Sequence, residues 1–162
     1  KLKPVLEGGV HTAGSSSQIS DGAAAVLLMD EKAARRAGLR PRARIVTQAV
    51  VGAEPEFHLD GPVQACSRLL ERSGMNIGDI DLFEINEAFA SMCVATCTML
   101  GIDDEIVNVL GSGCSLGHPI AMTGARMVIT LTHELRRRGG GTGIAAMCAG
   151  GGMSTAVVVE VP

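Results

Sequence analysis

Apolar runs alternate with segments of helical periodicity along most of the chain. Short apolar runs flanked by turn residues predict buried strands, here over residues 23–29, 43–51, 82–85, 106–109, 142–149 and 154–161. Longer segments with one apolar face predict helices, here over residues 31–37, 60–73, 87–100 and 119–137. Asp30 suits the N-cap of the first helix, and glycines follow the ends of the first three, at positions 38, 74 and 101.

The order of these elements predicts the fold class. Strands alternate with helices until the last two strands, which are joined by the glycines of residues 150–152. This order is typical of an α/β fold with a mixed, mostly parallel sheet covered by helices on both faces, in which the final pair adds an antiparallel member. Ligands of such sheets bind beyond the carboxyl ends of the strands. We therefore expect residues 86–87, 117–119 and 148–150 to share one edge.

The composition narrows the function classes. Hydrophobic residues make up 46% of the 162 residues and the net charge is -3, which excludes a disordered chain. Mild acidity and the scarcity of aromatic residues argue against nucleic-acid binding. No apolar run approaches the ~20 residues of a membrane span. Residues 1–4 show neither a secretory signal nor an initiator Met, so we expect a piece of a longer cytoplasmic protein.

Neither a metal centre nor a tightly bound cofactor is predicted. The five cysteines lack the spacing of a disulfide framework, which indicates reduced thiols. Cys93 and Cys97 would place two ligands on one helix face, too few for a zinc site. Residues 111–117 miss the dinucleotide-binding fingerprint by one position, and no phosphate-binding Gly-Lys-Ser/Thr triplet occurs.

His118 is the first candidate for chemistry. It follows a glycine loop and precedes Pro119, a favoured first residue of a helix. The positive end of a helix dipole disfavours imidazolium, so the ring should stay neutral near pH 7. A neutral ring can take a proton from a thiol or donate a hydrogen bond to an oxyanion. The structural alternative is a histidine that only caps its own loop.

Cys148 and Asn86 are the other two candidates. Cys148 ends a predicted buried strand before three glycines, whose N–H groups could form an oxyanion site beside the thiol. The alternative is a buried cysteine before a tight hairpin. Asn86 could hold a water or a carbonyl oxygen, or merely cap the following helix. Glu87 could orient a histidine or complement the helix dipole.

Together these segments resemble the C-terminal half of the thiolase family. Residues 86–89 (NEAF), 117–119 (GHP) and 148–152 (CAGGG) resemble its three signature blocks, in the same order and at matching separations. Residues 12–17 and 20–25 resemble the family segment that leads into the last strand of the N-terminal domain. The resemblance covers essentially the whole chain.

The resemblance implies a layered α/β fold and a division into parts. Residues 1–18 would end the loop domain that binds coenzyme A, residues 19–40 would supply the last strand and helix of the N-terminal domain, and residues 41–162 would form the C-terminal domain. The family's nucleophilic cysteine lies in the N-terminal half, and no cysteine here matches its block. The chain alone is therefore expected to be an inactive part of an acyltransferase that acts as a homodimer or homotetramer.

The resemblance also implies a reaction, the Claisen condensation of acyl-CoA thioesters or the thiolytic cleavage of 3-oxoacyl-CoA, including acetoacetyl-CoA, by coenzyme A. His118 would activate the nucleophilic thiol, and Cys148 would carry the proton of the condensing carbon. His118 and a water on Asn86 would form one oxyanion hole, and the Gly150 N–H would contribute to another. Coenzyme A and acyl-CoA would be substrates. The expected contacts of the pantetheine arm are Ser17, Ala88 and Phe89.

Three departures from the family pattern leave the acyl-chain preference open, namely Ser112, Ala121 and Ser154 where glycine is usual. Two other functions also fit the residues. One is a cysteine hydrolase with Cys148 as nucleophile, His118 as base and Asn86 as orienting group. The other is a non-catalytic assembly domain whose sheet supports a partner subunit.

Overall fold

The computed structural model describes residues 2–162, apart from the side chain of His58. Its helices and strands are, in chain order, α1 (Glu31–Arg36), β1 (Arg44–Gly52), α2 (Gly61–Ser73), β2 (Leu82–Ile85), α3 (Ala90–Leu100), α4 (Gly113–Leu116), α5 (Thr123–Arg138), β3 (Gly141–Ala149) and β4 (Met153–Val161). Short 3-10 turns lie at Pro55–Asp60, Ile77–Asp79 and Asp104–Ile106. Among the described residues, no helix is long and apolar enough to cross a membrane.

The four strands form one mixed sheet in the order β1-β4-β3-β2. The mixed α/β architecture is confirmed, but the expectation of a mostly parallel sheet is wrong. Only β2 and β3 pair in parallel, whereas β4 is antiparallel to both β3 and β1. The cause is the tight turn of residues 150–152, in which Gly151 and Gly152 adopt positive φ angles of 79° and 73°. This turn folds β4 back beside β3 and places it at the centre of the sheet.

Helices cover both faces of the sheet, as expected. Alternate residues of β3 face opposite sides: Ile144 packs in the cluster that includes α2 and α3, and Ala145 packs in the cluster that includes α5. Leu131 of α5 is almost fully buried against the second face. The strands that lead to the candidate site are thus held between two apolar layers.

Two predicted strands are not formed. Residues 23–29 belong to no strand or helix, and Leu27 is 79% exposed. A run this apolar is buried only when neighbouring strands pair with it, and no described strand does so. Residues 106–109 contribute a single bridge, between Val107 and Phe83. The chain turns away at Asn108 (φ 49°), whose side chain bonds both backbone groups of Ile85 in place of a strand.

The helix ends follow the expected chemistry, with two shifts. The Asp30 side chain accepts a hydrogen bond from the Ala33 N–H, and Gly74 and Gly101 adopt left-handed conformations at the ends of α2 and α3. Two helices begin three or four residues later than predicted, α3 at Ala90 and α5 at Thr123. The segment before α3 pairs instead with residues 15–17, and a turn precedes α5.

Candidate active site

Asn86 lies directly after β2 and is fully buried. Its backbone N–H donates to the Ala146 carbonyl of β3 at 3.0 Å, which continues the parallel pairing by one residue. Neither its Oδ1 nor its Nδ2 has a hydrogen-bond partner among the described residues. The alternative interpretation, in which Asn86 caps α3, is therefore wrong. A buried amide without a partner is costly, and its donor and acceptor remain free for a ligand.

The backbone around Asn86 is held tightly. Ser112, fully buried, donates from its hydroxyl to the Ile85 carbonyl at 3.2 Å. A Cβ at Gly113 would lie 2.7 Å from the Glu87 carbonyl oxygen and 3.2 Å from the Asn86 Oδ1, so only glycine fits there. The Glu87 carboxylate accepts from the Cys114 N–H at 3.0 Å, which places it at the start of α4, not on a histidine.

His118 is fixed by its backbone and by one ring nitrogen. Its N–H donates to the Gln18 carbonyl at 2.7 Å, and its Nδ1 lies 2.7 Å from the Thr123 hydroxyl. That hydroxyl donates to the Pro119 carbonyl at 3.0 Å, so its oxygen accepts from Nδ1–H. The hydrogen bonds thus select the tautomer that leaves the Nε2 lone pair free.

The reason for the neutral ring differs from the one predicted. Since α5 begins five residues after His118, the ring does not lie at the helix N-terminus. Burial is the main factor that lowers the pKa of His118, and the positive charge of Arg126 lowers it further. Sequence reasoning missed both Thr123 and Arg126. The two residues are three positions apart on a predicted helix that starts near a histidine, so they share one helix face, and this spacing could have indicated them.

Cys148 is the penultimate residue of β3 and pairs with Ser154 of β4. It is half-buried and packs at the edge of the apolar cluster under α2. Burial raises the pKa of the Cys148 thiol, so the sulfur is protonated near neutral pH. Gly150 is exposed at the start of the hairpin, with open space where a Cβ would lie.

Ser17, Ala88 and Phe89 are brought together. The Ser17 N–H donates to the Ala88 carbonyl at 3.0 Å, and Ser16 forms an antiparallel bridge with Phe89. The Phe89 ring packs against the His11 ring with centroids 4.9 Å apart. These contacts bring Ser17 to Ala88 and Phe89, which follow Asn86 closely in the sequence. The three residues of the predicted substrate channel thus lie together.

The segments that carry Asn86 and Cys148 converge because β2 and β3 are parallel neighbours. The start of α5, whose Thr123 contacts the His118 ring, reaches the same edge: a Cβ at Gly124 would lie 3.6 Å from the Met147 sulfur. Cys148, however, packs on the opposite face of the sheet from α5. Among the described residues, no hydrogen bond joins the side chains of the three candidates. The backbones therefore meet beyond the strand ends without closing a triad.

Two open cavities of about 270 Å³ lie elsewhere on the molecule. One is a groove between the sheet and α5 that is lined by Met127 and Met147 among others. The other lies among Arg40, Arg42 and Arg136. Neither includes the three candidates. In the described part of the chain, no group of His, Cys, Asp and Glu could hold a metal ion.

Comparison with known proteins identifies the family. Residues 39–161 match the family model described as "Thiolase, C-terminal domain". Curated relatives include the acetyl-CoA acetyltransferase of Shinella zoogloeoides, 48% identical over 99% of the chain, and the 3-ketoacyl-CoA thiolase of Bacillus subtilis, 48% identical over 98% of the chain. The chain belongs to the thiolase family and matches its C-terminal domain, which confirms the resemblance seen in the sequence.

Solved structures agree. The crystal structure of the Bacillus anthracis acetyl-CoA acetyltransferase covers 99% of the chain with a TM-score of 0.96 and 46% identity. Human mitochondrial 3-ketoacyl-CoA thiolase in complex with CoA covers all of it with a TM-score of 0.93 and 38% identity. In both cases the chain spans 41% of the other protein, and it spans 41% of the two curated relatives as well.

Proposed function

We propose that this chain supplies the acid–base residues in the active site of a thiolase. The complete enzyme would be an acyltransferase that condenses acyl-CoA thioesters or cleaves 3-oxoacyl-CoA with coenzyme A. The observation that carries the proposal is the buried Asn86 amide without a partner, at the sheet edge where the His118 and Cys148 segments converge. Membership of the thiolase family supports it. So do the relatives, which are named acetyl-CoA acetyltransferase and 3-ketoacyl-CoA thiolase.

In this proposal His118 begins the thiolytic cleavage. Its free Nε2 takes the proton of a nucleophilic thiol, and the thiolate attacks the 3-oxo carbonyl carbon. Thr123 holds the opposite ring nitrogen, so that Nε2 faces the reacting groups with its lone pair. The lowered pKa of His118 keeps this lone pair available at neutral pH.

Cys148 completes the cleavage. As the bond between C2 and C3 breaks, its electron pair passes to the departing enolate, and the Cys148 thiol delivers a proton to C2. Acetyl-CoA leaves, and the acyl group stays on the nucleophile until the thiol of coenzyme A takes it. The raised pKa of Cys148 suits a proton donor. In condensation the same sulfur removes the proton from C2 of acetyl-CoA, so one residue serves as acid in cleavage and as base in condensation.

Donors at the strand ends would stabilise the negative charge. We assign one oxyanion site to His118 and a water held by the Asn86 amide, and a second to the exposed Gly150 N–H. Removing one such donor typically costs on the order of 10²–10³ in rate. Ser17, Ala88 and Phe89 would line the channel for the pantetheine arm. Their pairing beside Asn86 supports this role. Coenzyme A is thus a substrate and not a tightly bound cofactor.

The nucleophile would come from outside this chain. We propose that residues 1–18 belong to a coenzyme A-binding loop domain, residues 19–40 to an N-terminal domain and residues 41–162 to the C-terminal domain. The exposed apolar segment 23–29 supports this division, because a missing sheet would bury it. The chain alone would then have no turnover. We further propose a cytoplasmic homodimer or homotetramer, although similar proteins are named peroxisomal in Mus musculus and mitochondrial in human.

The test is thiolysis of acetoacetyl-CoA by the complete protein and by this chain alone. We expect turnover only from the complete protein. Cys148→Ser should nearly abolish turnover of the complete protein yet still allow acetyl transfer from acetyl-CoA to its nucleophile. Cys97→Ser, which changes another half-buried cysteine on α3, is the matched control and should remain active. Turnover by the chain alone would contradict the proposed division of labour.

The same proteins discriminate the alternatives. In a cysteine hydrolase Cys148 would be the nucleophile, and iodoacetamide would label it first. In a thiolase another cysteine reacts first, because burial raises the pKa of Cys148. An assembly domain would bind no acyl-CoA, and His118→Ala would leave its association unchanged. Calorimetry with acetoacetyl-CoA on the complete protein separates that case from an enzyme.

A further inference from the structure

A buried polar network lies beside the candidate site and has no role so far. The Arg126 guanidinium donates from Nη1 to the Glu84 carboxylate and from Nη2 to the Ser112 hydroxyl, the latter at 3.3 Å. The side chains of Arg126 and Glu84 are 16% and 3% exposed. One cation thus joins three elements: α5, β2 and the glycine-rich loop before α4.

Each element in this network also carries a candidate residue. Arg126 lies three residues after Thr123, on the same face of α5, and Thr123 holds the His118 ring. Glu84 of β2 lies two residues before Asn86, whose backbone continues the pairing with β3, so strand alternation places both side chains on the same side. The network therefore spans from the support of His118 to the support of Asn86.

Stability alone does not account for this network. Burying an ion pair costs desolvation, and apolar side chains of similar volume often stabilise a protein as well or better. The planar guanidinium, in contrast, can hold two partners at fixed angles. The Ser112 hydroxyl links Arg126 to the backbone before Asn86, because it donates to the Ile85 carbonyl.

We propose that Arg126, Glu84 and Ser112 form a positioning network that sets the location of His118 relative to Asn86. This inference rests on the proposed thiolase function and adds three residues to it. None of the three contacts the reacting atoms. They act through Thr123 and through the backbone of Ile85.

The charges of the network also reach the His118 ring. Arg126 disfavours the protonated imidazole of His118. Glu87 interacts with Glu84, and Asp21 lies two residues after Ile19, which bridges His118. Removing Arg126 should therefore make His118 more basic. Glu84→Gln should change the basicity of His118 little, because burial raises the pKa of the Glu84 carboxyl to about 7 and leaves it mostly neutral where His118 titrates.

The test uses the complete protein and three variants: Arg126→Met, Arg126→Lys and Glu84→Gln. We expect each to lower kcat for acetoacetyl-CoA thiolysis, for Arg126→Met on the order of 10²-fold, with little change in KM. The acid limb of kcat/KM should move to higher pH in Arg126→Met and stay nearly in place in Glu84→Gln. The acid limb should stay in place in Arg126→Lys, because lysine keeps the positive charge but lacks the two guanidinium donors that bind Glu84 and Ser112. Arg68→Met breaks an exposed ion pair with Glu71 and is the matched control.

Arg126→Met leaves a buried carboxylate unpaired and could unfold the protein. The double variant Glu84→Gln/Arg126→Met removes that charge, and its kcat should still fall while the thermal unfolding temperature is retained. Unchanged kcat in the folded double variant, or an acid limb that does not move in Arg126→Met, would overturn the positioning role. If the unmodified complete protein shows no thiolysis, the proposed function fails instead.

Discussion

Replacing Asn86 by leucine should make the protein more stable and nearly inactive. The Asn86 amide is fully buried, and neither of its polar atoms has a partner among the described residues. Folding therefore removes a donor and an acceptor from water without replacing their hydrogen bonds. Leucine has nearly the same shape and loses no such bonds. A residue kept at such a cost is expected to serve a ligand.

The magnitude follows from the unsatisfied amide. Leaving a buried polar group unpaired costs about 1–3 kcal/mol, so Asn86→Leu should gain free energy of unfolding in that range. For a cooperative unit of about this size, each kcal/mol shifts the unfolding temperature by roughly 2–4 °C. Activity should fall on the order of 10²–10³-fold, because the substitution removes the group that binds the water in the proposed oxyanion site.

Asn108→Leu is the matched control, because the Asn108 amide is fully used. Its Oδ1 accepts from the Ile85 N–H and its Nδ2 donates to the Ile85 carbonyl, both at 2.8 Å. The same substitution there should lower the unfolding temperature, since it orphans the Ile85 N–H, removes one donor from the Ile85 carbonyl and places leucine at a positive φ. Scanning calorimetry and acetoacetyl-CoA thiolysis of the complete protein measure both effects.

Two results would refute the reasoning about Asn86. The first is a lower unfolding temperature in Asn86→Leu, which would mean that the amide is structural. The second is thiolysis within tenfold of the unmodified protein. Either result would remove Asn86 from the proposed oxyanion site and leave His118 without its partner.

Three further predictions concern the glycine loop, an ion pair and the core. Gly113→Ala should lower kcat strongly, because its Cβ would lie 2.7 Å from the Glu87 carbonyl oxygen, while Gly78→Ala meets nothing within 4 Å and should be silent in the same assay. Glu134 has its pKa lowered from 4.5 to about 2 by two arginines, so its stabilisation is present above about pH 4.5 and lost as the pH falls towards 2. Glu134→Gln should therefore unfold at lower temperature at pH 7 and match the parent near pH 2. Leu131→Ala should lose about 2–5 kcal/mol of unfolding free energy in denaturant titration, because it empties a fully packed site.

The sequence predicted best those features that depend on local chemistry. The Asp30 cap and the left-handed glycines at 74 and 101 follow from backbone preferences within a few residues. The range of β2 is confirmed residue for residue. Its four residues are all buried, so the apolar run carried the whole signal. Such features need no knowledge of distant partners.

Features that depend on distant partners were predicted less well. The direction of β4 is set by a three-residue turn, yet its central place in the sheet depends on pairing with β1, about 110 residues away in the chain. The run 23–29 has the composition of a buried strand, but strand formation needs a neighbour that the described residues lack. The apolar composition of a segment indicates that it tends to be buried, but it does not identify the strand or helix that would cover it.

The candidate site shows the same division. His118 and Cys148 were recognisable because unusual residues stand beside glycine or proline at strand and helix boundaries. Thr123 and Arg126 were missed, because their role appears only once α5 packs against β2. Glu84 looked like one polar residue in an apolar strand, and burial raises its pKa to about 7 despite the adjacent arginine. A charge in a buried strand was the signal that could have revealed it.

The exposed run 23–29 has a practical consequence for anyone who produces this chain. Seven consecutive residues without charge or proline, AAAVLLM, lie exposed outside any helix or strand. Such a stretch can template intermolecular β-pairing, so the isolated chain should precipitate as its concentration rises. Beginning expression at Asp30 removes the stretch and keeps the first helix cap. The shortened protein should stay monodisperse in light scattering at concentrations where the longer one forms fibrils.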